Sequence, residues 1–291
     1  MLKITHGVNA GFYSNCTVRL SAIIKYFNEN KKLPELVDCS EMFYFYKSPS
    51  NLHDDISGEY FKKNDSFVLN YDHEIKIRND DIEDQFSDYN TLLYDDISFF
   101  VKTYFSLTQN IKDIVELLEK KYTIDYENTC VLFYRGNDKC VETNICSYEE
   151  IIEKGKNVQR KNPNVKFLIQ SDETDFIEKM SNEFSNSFYF NEEIRHIPKI
   201  SSVFHGYMVD CEKNEDNFHY SKYFLAIVFI MSKCKNIICT SGNISMWISL
   251  FRGNAYGIYQ YLNPIEYSYG LKNKNYDPDQ TEFWIETNAP C

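Results

Sequence analysis

The sequence predicts an α/β protein in which two Rossmann-like units face a cleft. Over residues 130–259, short apolar runs alternate four or five times with segments of helical apolar spacing, the pattern of a parallel sheet covered by helices on both faces. The amino terminus opens in the same order of strand, polar turn and helix. With 291 residues, 43% of them hydrophobic and including 22 Phe and 23 Tyr, the chain can bury a core in each half.

Leu2-Lys3-Ile4-Thr5 reads as the first strand, 6–15 as a polar turn, and 17–28 as a helix with Val18, Leu20, Ile23, Ile24 and Phe27 on one face. Residues 35–46 read as mostly strand and 48–65 as a polar loop. Helices over 95–106 and 109–122 lead into the polar connector 123–128. Cys130-Val131-Leu132-Phe133-Tyr134 is then a strand, 148–160 a helix, Val165-Lys166-Phe167-Leu168-Ile169 a strand, 173–184 a helix and Ser187-Phe188-Tyr189-Phe190 a strand. An almost wholly apolar helix over 220–233 precedes the buried strand Asn236-Ile237-Ile238-Cys239-Thr240, a helix over 244–251 and a last strand, Ala255-Tyr256-Gly257-Ile258-Tyr259. The expected division is 1–125 as an amino-terminal α/β domain, 126–270 as a Rossmann-like ligand-binding domain, and 271–291, rich in Asn, Asp and Pro, as an irregular tail returning to pack on the first.

Composition removes several function classes. Thirty-one Lys and Arg against 43 Asp and Glu leave a formal charge of −12, which opposes non-specific attraction to nucleic acid or an anionic membrane, so no nucleic-acid partner is expected. Any anionic ligand must be held by a local site. The longest apolar run, 223–231, is about half the roughly 20 residues a membrane span needs. Met1-Leu2-Lys3-Ile4-Thr5-His6 lacks the layout of a signal peptide, so a cytoplasmic location is expected, with the nine cysteines as reduced thiols, several of them in strands. Their spacings match no zinc pattern and no metal site is expected.

In open parallel sheets, ligands bind at the carboxyl ends of the strands. Polar residues cluster after three of the predicted strands. The first cluster is Arg135-Gly136-Asn137-Asp138-Lys139-Cys140-Val141-Glu142: Arg135 offers a bidentate fork to a phosphate, Lys139 a point charge, and Asp138 or Glu142 a carboxylate base. The second, Gln170-Ser171-Asp172-Glu173-Thr174-Asp175, reads equally as a helix cap. In the third, Thr240-Ser241-Gly242-Asn243-Ile244-Ser245, small residues open a helix and let its amides approach an anion. Asn9-Ala10-Gly11 near the amino terminus has similar chemistry and could face the cleft.

Taken in order, these segments resemble the catalytic domain of α1,6-fucosyltransferases and related GT-B fucosyltransferases over about residues 130–251. Residues 131–139 are similar to that family's His-x-Arg-Arg-x-Asp-Lys region, Leu168-Ile169-Gln170-Ser171-Asp172-Glu173 to its Leu-Ala-Thr-Asp-Asp strand end, and 224–243 to its helix leading to Val-Cys-Thr-Phe-Ser-Ser. The resemblance implies a GT-B fold and inverting transfer of a sugar from a nucleotide diphosphate sugar to a glycan hydroxyl, with no metal or other cofactor required. Arg135 would hold the diphosphate and stabilise the leaving phosphate; Ser241, Gly242, Asn243 and Ser245 would bind phosphate, with Asn9 and Gly11 facing the donor. Asp138 or Glu142 would be the base, with Lys139 orienting its neighbours.

The departures bear on the donor. Gly136 stands where the family has a second Arg, Phe133 where it has His, and Glu142 lies one residue nearer the Asp-Lys pair. Ala226 stands where an aspartate that recognises guanine is expected, so GDP-fucose and UDP-sugars such as UDP-xylose both stay open, with Asp172 or His205 as replacement base or sugar ligands. His53-Asp54-Asp55 and Asp72-His73-Glu74 lack the spacing of a metallohydrolase, and Asp80-Asp81 and Asp95-Asp96 do not follow strands. A non-catalytic nucleotide-sugar or glycan-binding protein on the same fold is the alternative. No Gly-x-Ser-x-Gly elbow supports a hydrolase.

Overall fold

The computed structural model describes residues 1–5, 10–66, 74–192, 216–268 and 270–287. Its centre is a six-stranded sheet of order β12-β9-β8-β5-β6-β7, comprising β5 (Thr129–Tyr134), β6 (Lys166–Ser171), β7 (Ser187–Phe188), β8 (Asn236–Thr240), β9 (Ile258–Tyr261) and β12 (Trp284–Glu286). Five strands are parallel, and β12 joins β9 antiparallel, with Ile285 opposite Gln260. The parallel order runs outward in both directions from β5, so the connections reverse between β5 and β8. That is the switch point at which such sheets leave a crevice.

The central strands β5, β6 and β8 are buried on both faces, as their near-continuous apolar runs require. Cys130, Leu132, Tyr134, Phe167 and Ile169 pack with α4 (Tyr148–Lys161) and α5 (Thr174–Glu183). Val131, Phe133, Leu168, Ile237 and Cys239 point the other way, against α6 (Asn217–Lys233) and α7 (Asn243–Arg252). Helix α4 starts at a capping box in which Ser147 accepts from the Glu150 amide while Glu150 accepts from Ser147.

The core on the α6/α7 face continues without interruption into the amino-terminal half. Helix α1 (Phe12–Asn30) lies against α7, with Trp247 packed on Tyr13 and donating through Nε1 to Thr17 Oγ1 at 3.0 Å. Helices α2 (Tyr94–Tyr104) and α3 (Gln109–Tyr122) pack on α7 and α6 respectively. Among the described residues, the strands of this half are the parallel pair β1 (Leu2–Lys3) with β2 (Val37–Asp38) and the antiparallel pair β3 (Phe61–Lys62) with β4 (Ser106–Leu107).

Several boundaries differ from expectation. Helix α1 starts at Phe12, inside the expected polar turn, because Asn15 Nδ2 donates to the carbonyls of Ala10 and Gly11 and holds the first turn. Of residues 35–46 only Val37–Asp38 is strand: Asp38 accepts from the Ser40 amide, Asp55 accepts from the Cys39 amide, and Phe43 at φ 58 turns the chain away from extension. The last strand lies later than 255–259 because Gly257, at φ 73, makes a turn there, its Cα so close to Lys235 O that a Cβ would sit 2.5 Å away. Instead of staying irregular, the tail supplies β11 (Leu271–Lys272), antiparallel to β10 (Tyr267–Ser268), and β12, and also touches the first half, where Asn275 donates to Asp84 and to the Phe86 carbonyl. Among the described residues no helix is long and apolar enough to cross a membrane.

Candidate functional site

The switch point is stitched across its floor: the amide of Arg135, just past β5, donates to Thr240 Oγ1 at the end of β8 at 3.0 Å. From here Arg135 Nη1 reaches the Asp172 carboxylate beyond β6, and the other Asp172 oxygen accepts from the Gly136 amide at 3.0 Å. Glu173, 1% exposed, accepts from the Asn137 amide at 2.8 Å and from the Tyr148 hydroxyl. Burial, reinforced by that carboxylate, pushes the Tyr148 phenol well above its ordinary value. Tyr148 therefore stays a donor to Glu173, and the pair anchors the strand-end loop.

The loop closes as a short 3-10 helix, Asn137–Val141. Lys139 Nζ lies 2.7 Å from Glu142 Oε2, and both side chains are nearly enclosed, at 13% and 10% exposed. A residue from the amino-terminal half completes the group: Gln85 Nε2 donates to Glu142 Oε2 at 2.8 Å, while Gln85 Oε1 accepts from the Asn243 amide at 3.1 Å. The network thus joins the loop after β5, the start of α7 and the 83–88 turn.

Gly242 opens α7 at φ 156 and ψ 172, backbone that favours glycine, and without a side chain it gives the first helical amides no cap of its own. Its amide donates to Tyr89 OH at 3.2 Å. Burial lifts the Tyr89 phenol far above its ordinary value, so it remains a neutral hydroxyl. Ser241 and Ser245 are buried and spend their hydroxyls inward, on the Tyr261 carbonyl at 2.7 Å and the Thr240 carbonyl at 2.5 Å. Thr17 Oγ1 lies 3.1 Å from Asn243 Oδ1, which brings the first turns of α1 beside the start of α7.

The structure therefore brings together Arg135, Lys139, Glu142, Asp172, Gly242 and Asn243, with Ser241 and Ser245 beneath them. The main chain of Asp138 belongs to the 3-10 helix between Arg135 and Glu142, and its side chain lies outside the described atoms. Gly11 caps the start of α1, and among the described residues nothing lies within 4 Å of where a Cβ on it would be. Asn9 and His205 lie outside the described residues, as do Asp72 and His73. Ala226 is fully buried in the core, so position 226 does not front the crevice. Asp55 and Asp96 are occupied by main-chain amides, and Asp81 pairs with Arg78. A cavity of about 790 Å³ opens beyond the other end of the sheet, between Leu93, Tyr94 and Tyr256; Asp96 lines it, and Arg135, Lys139, Glu142, Asp172, Gly242 and Asn243 do not.

Sequence reasoning missed Gln85, Tyr89, Thr17 and Gln260. Gln260 spans the gap between halves, donating to the Ser87 carbonyl and to Ser241 Oγ while accepting from the Tyr89 amide. No local pattern marks these four, since each acts on a partner more than 15 residues away in sequence.

No family model matches the sequence, and no curated protein matches it. Solved structures do. The crystal structure of NodZ α-1,6-fucosyltransferase soaked with GDP-fucose superposes with a TM-score of 0.52 at 10% identity, covering 90% of this chain and 92% of that one. NodZ co-crystallised with GDP gives 0.46 at 12% identity over 91% and 93%, and the fucosyltransferase NodZ from Bradyrhizobium gives 0.44 at 10% over 82% and 85%. The first of these likenesses spans nearly both chains, and with the sheet order around β5 it establishes the architecture: the chain has an α/β, GT-B fucosyltransferase-like fold.

Proposed function

We propose that the protein is an inverting glycosyltransferase. It moves fucose, or another deoxysugar or pentose such as xylose, from a nucleotide diphosphate sugar to a hydroxyl of a glycan acceptor, without a metal and in the cytoplasm. The observation that supports this is the convergence of Arg135, Lys139 and the glycine-led start of α7 at one switch point, in a molecule whose net charge of −12 otherwise repels phosphate. NodZ, whose fold the chain shares, has been soaked with GDP-fucose. In this reading residues 126–270 hold the donor, 1–125 face the acceptor, and 271–291 brace the two.

Breaking the glycosidic bond leaves its electron pair on a phosphate oxygen. Arg135, exchanging Asp172 for that oxygen, stabilises the charge as it develops, an interaction stronger in the transition state than in the bound donor. Asp138 or Glu142 takes the proton of the attacking hydroxyl. With Ala226 in the core, guanine and uracil donors stand level, and Asp172 is committed to Arg135 in the absence of donor.

The test is the melting temperature of the protein against GDP-, UDP-, ADP- and dTDP-sugars, with and without EDTA, followed by turnover with the donor that binds. A selective rise unaffected by EDTA is expected, and Arg135→Ala should lower turnover at least about a hundredfold. Near-normal transfer by that variant would remove Arg135 from the mechanism. One observation favours the non-catalytic alternative: both cations already have carboxylate partners, and Gly136 leaves no second arginine. Selective binding with no turnover of any donor would identify it.

A further inference from the structure

Three donors converge on one oxygen of Gln85. Its Oε1 accepts from the Asn243 amide at 3.1 Å, from Asn243 Nδ2 at 3.2 Å and from Lys139 Nζ at 3.4 Å. A helix start and an ammonium group both favour an anion at that point, yet the oxygen there belongs to a neutral amide. On its other side the same amide donates to Glu142 Oε2 at 2.8 Å. The main chain behind Gln85 is held: Phe86 and Tyr89 are buried, Gln260 binds the Ser87 carbonyl and the Tyr89 amide, and Asn275 binds the Phe86 carbonyl. What can yield is the half-buried Gln85 side chain, by rotating on a fixed turn.

We propose that Gln85 is a neutral placeholder for a phosphate oxygen: its amide oxygen occupies the position taken by an oxygen of the nucleoside diphosphate, and the donor binds by displacing it. This rests on the nucleotide-sugar reading above and adds a coupling to it. Rotation of Gln85 removes one hydrogen bond from Glu142, and a phosphate that also draws Lys139 loosens a second hold on that carboxylate, favouring transfer of the acceptor's proton to it. Glu142, one of the two candidate bases, is thus held by Lys139 and Gln85 until the donor arrives. A glutamine suits the task because its oxygen satisfies the donors without matching the affinity of an anion. A glutamate would hold them more firmly and face Glu142 with like charge.

Calorimetric titration of inorganic pyrophosphate, GDP and UDP into the wild type, Gln85→Ala and Gln85→Met tests the proposal. Removing the competitor should tighten pyrophosphate binding about threefold to tenfold, the weight of a displaced hydrogen bond, and Gln85→Glu should weaken it by at least as much. Structural damage does not produce a gain in affinity, and the methionine variant preserves bulk if alanine loosens the turn. Equal or weaker binding by both neutral variants would overturn the placeholder while leaving the nucleotide site intact. If neither the wild type nor any variant binds any of the three ligands, the nucleotide site itself falls, and the placeholder with it.

Discussion

Gly136 stands where the resembling family carries a second arginine, and the structure shows what enforces the glycine. A Cβ on residue 136 would lie 2.0 Å from Glu173 Oε1 and 2.7 Å from the Tyr134 ring, with Glu173 itself pinned by Asn137 and Tyr148. Buried Glu173 and a bare residue 136 are one arrangement. Gly136→Ala is accordingly expected to destabilise the fold by about 1–3 kcal/mol, the usual size of a forced overpacking, measurable by denaturant unfolding. A change within about 0.5 kcal/mol would mean that Glu173 moves aside freely. Sequence made Arg135 and Lys139 legible, because a cation directly after an apolar run is a recognisable strand-end feature. It did not make Gln85 legible: in sequence it is one polar residue among many, and its meaning comes from Asn243, 158 positions away.

Among the elements, those with two buried faces or a full amphipathic stripe were readable, and those held by side-chain capping were not. Strands β5, β6 and β8 announce themselves as continuous apolar runs because both their faces are covered. By contrast the aromatic stretch after Val37 looks like strand and is instead turned into the core by Asp38, Asp55 and Phe43. Strand β12 was missed for a different reason: three residues at a sheet edge carry too little pattern. Its pairing with β9 nonetheless seats Trp284 on Tyr261 and places Lys154 over the indole ring. Proline in an edge strand removes a ladder donor, so Ile285→Pro should detach this strand and lower the melting temperature. An unchanged melting temperature would show that β12 contributes nothing to the fold.

At the scale of the molecule, burial sets a response to alkali. Enclosure pushes the thiols of Cys39 up to about 11 and of Cys234 and Cys239 up to about 12 from an ordinary 9.0, and raises the Tyr13 and Tyr89 phenols far above 10.0. In the unfolded chain these groups lose protons at their ordinary values, while the folded chain keeps them. Between pH 9 and about 12 the unfolded state therefore binds fewer protons, and stability falls as pH rises. Their contribution is complete below pH 9, so the melting temperature should decline steeply above it. A level profile to about pH 11 would contradict the enclosure of these groups.

The uninterrupted core beneath α6 and α7 also limits how the chain can be divided. Trp247 and Phe224 from one half are in direct ring contact with Tyr13 and Phe105 from the other. Expressing residues 1–125 or 126–291 alone would leave a broad apolar surface in water on each fragment, the condition for aggregation. The two halves are in this sense one folding unit, and recombinant work on either has to keep the chain whole.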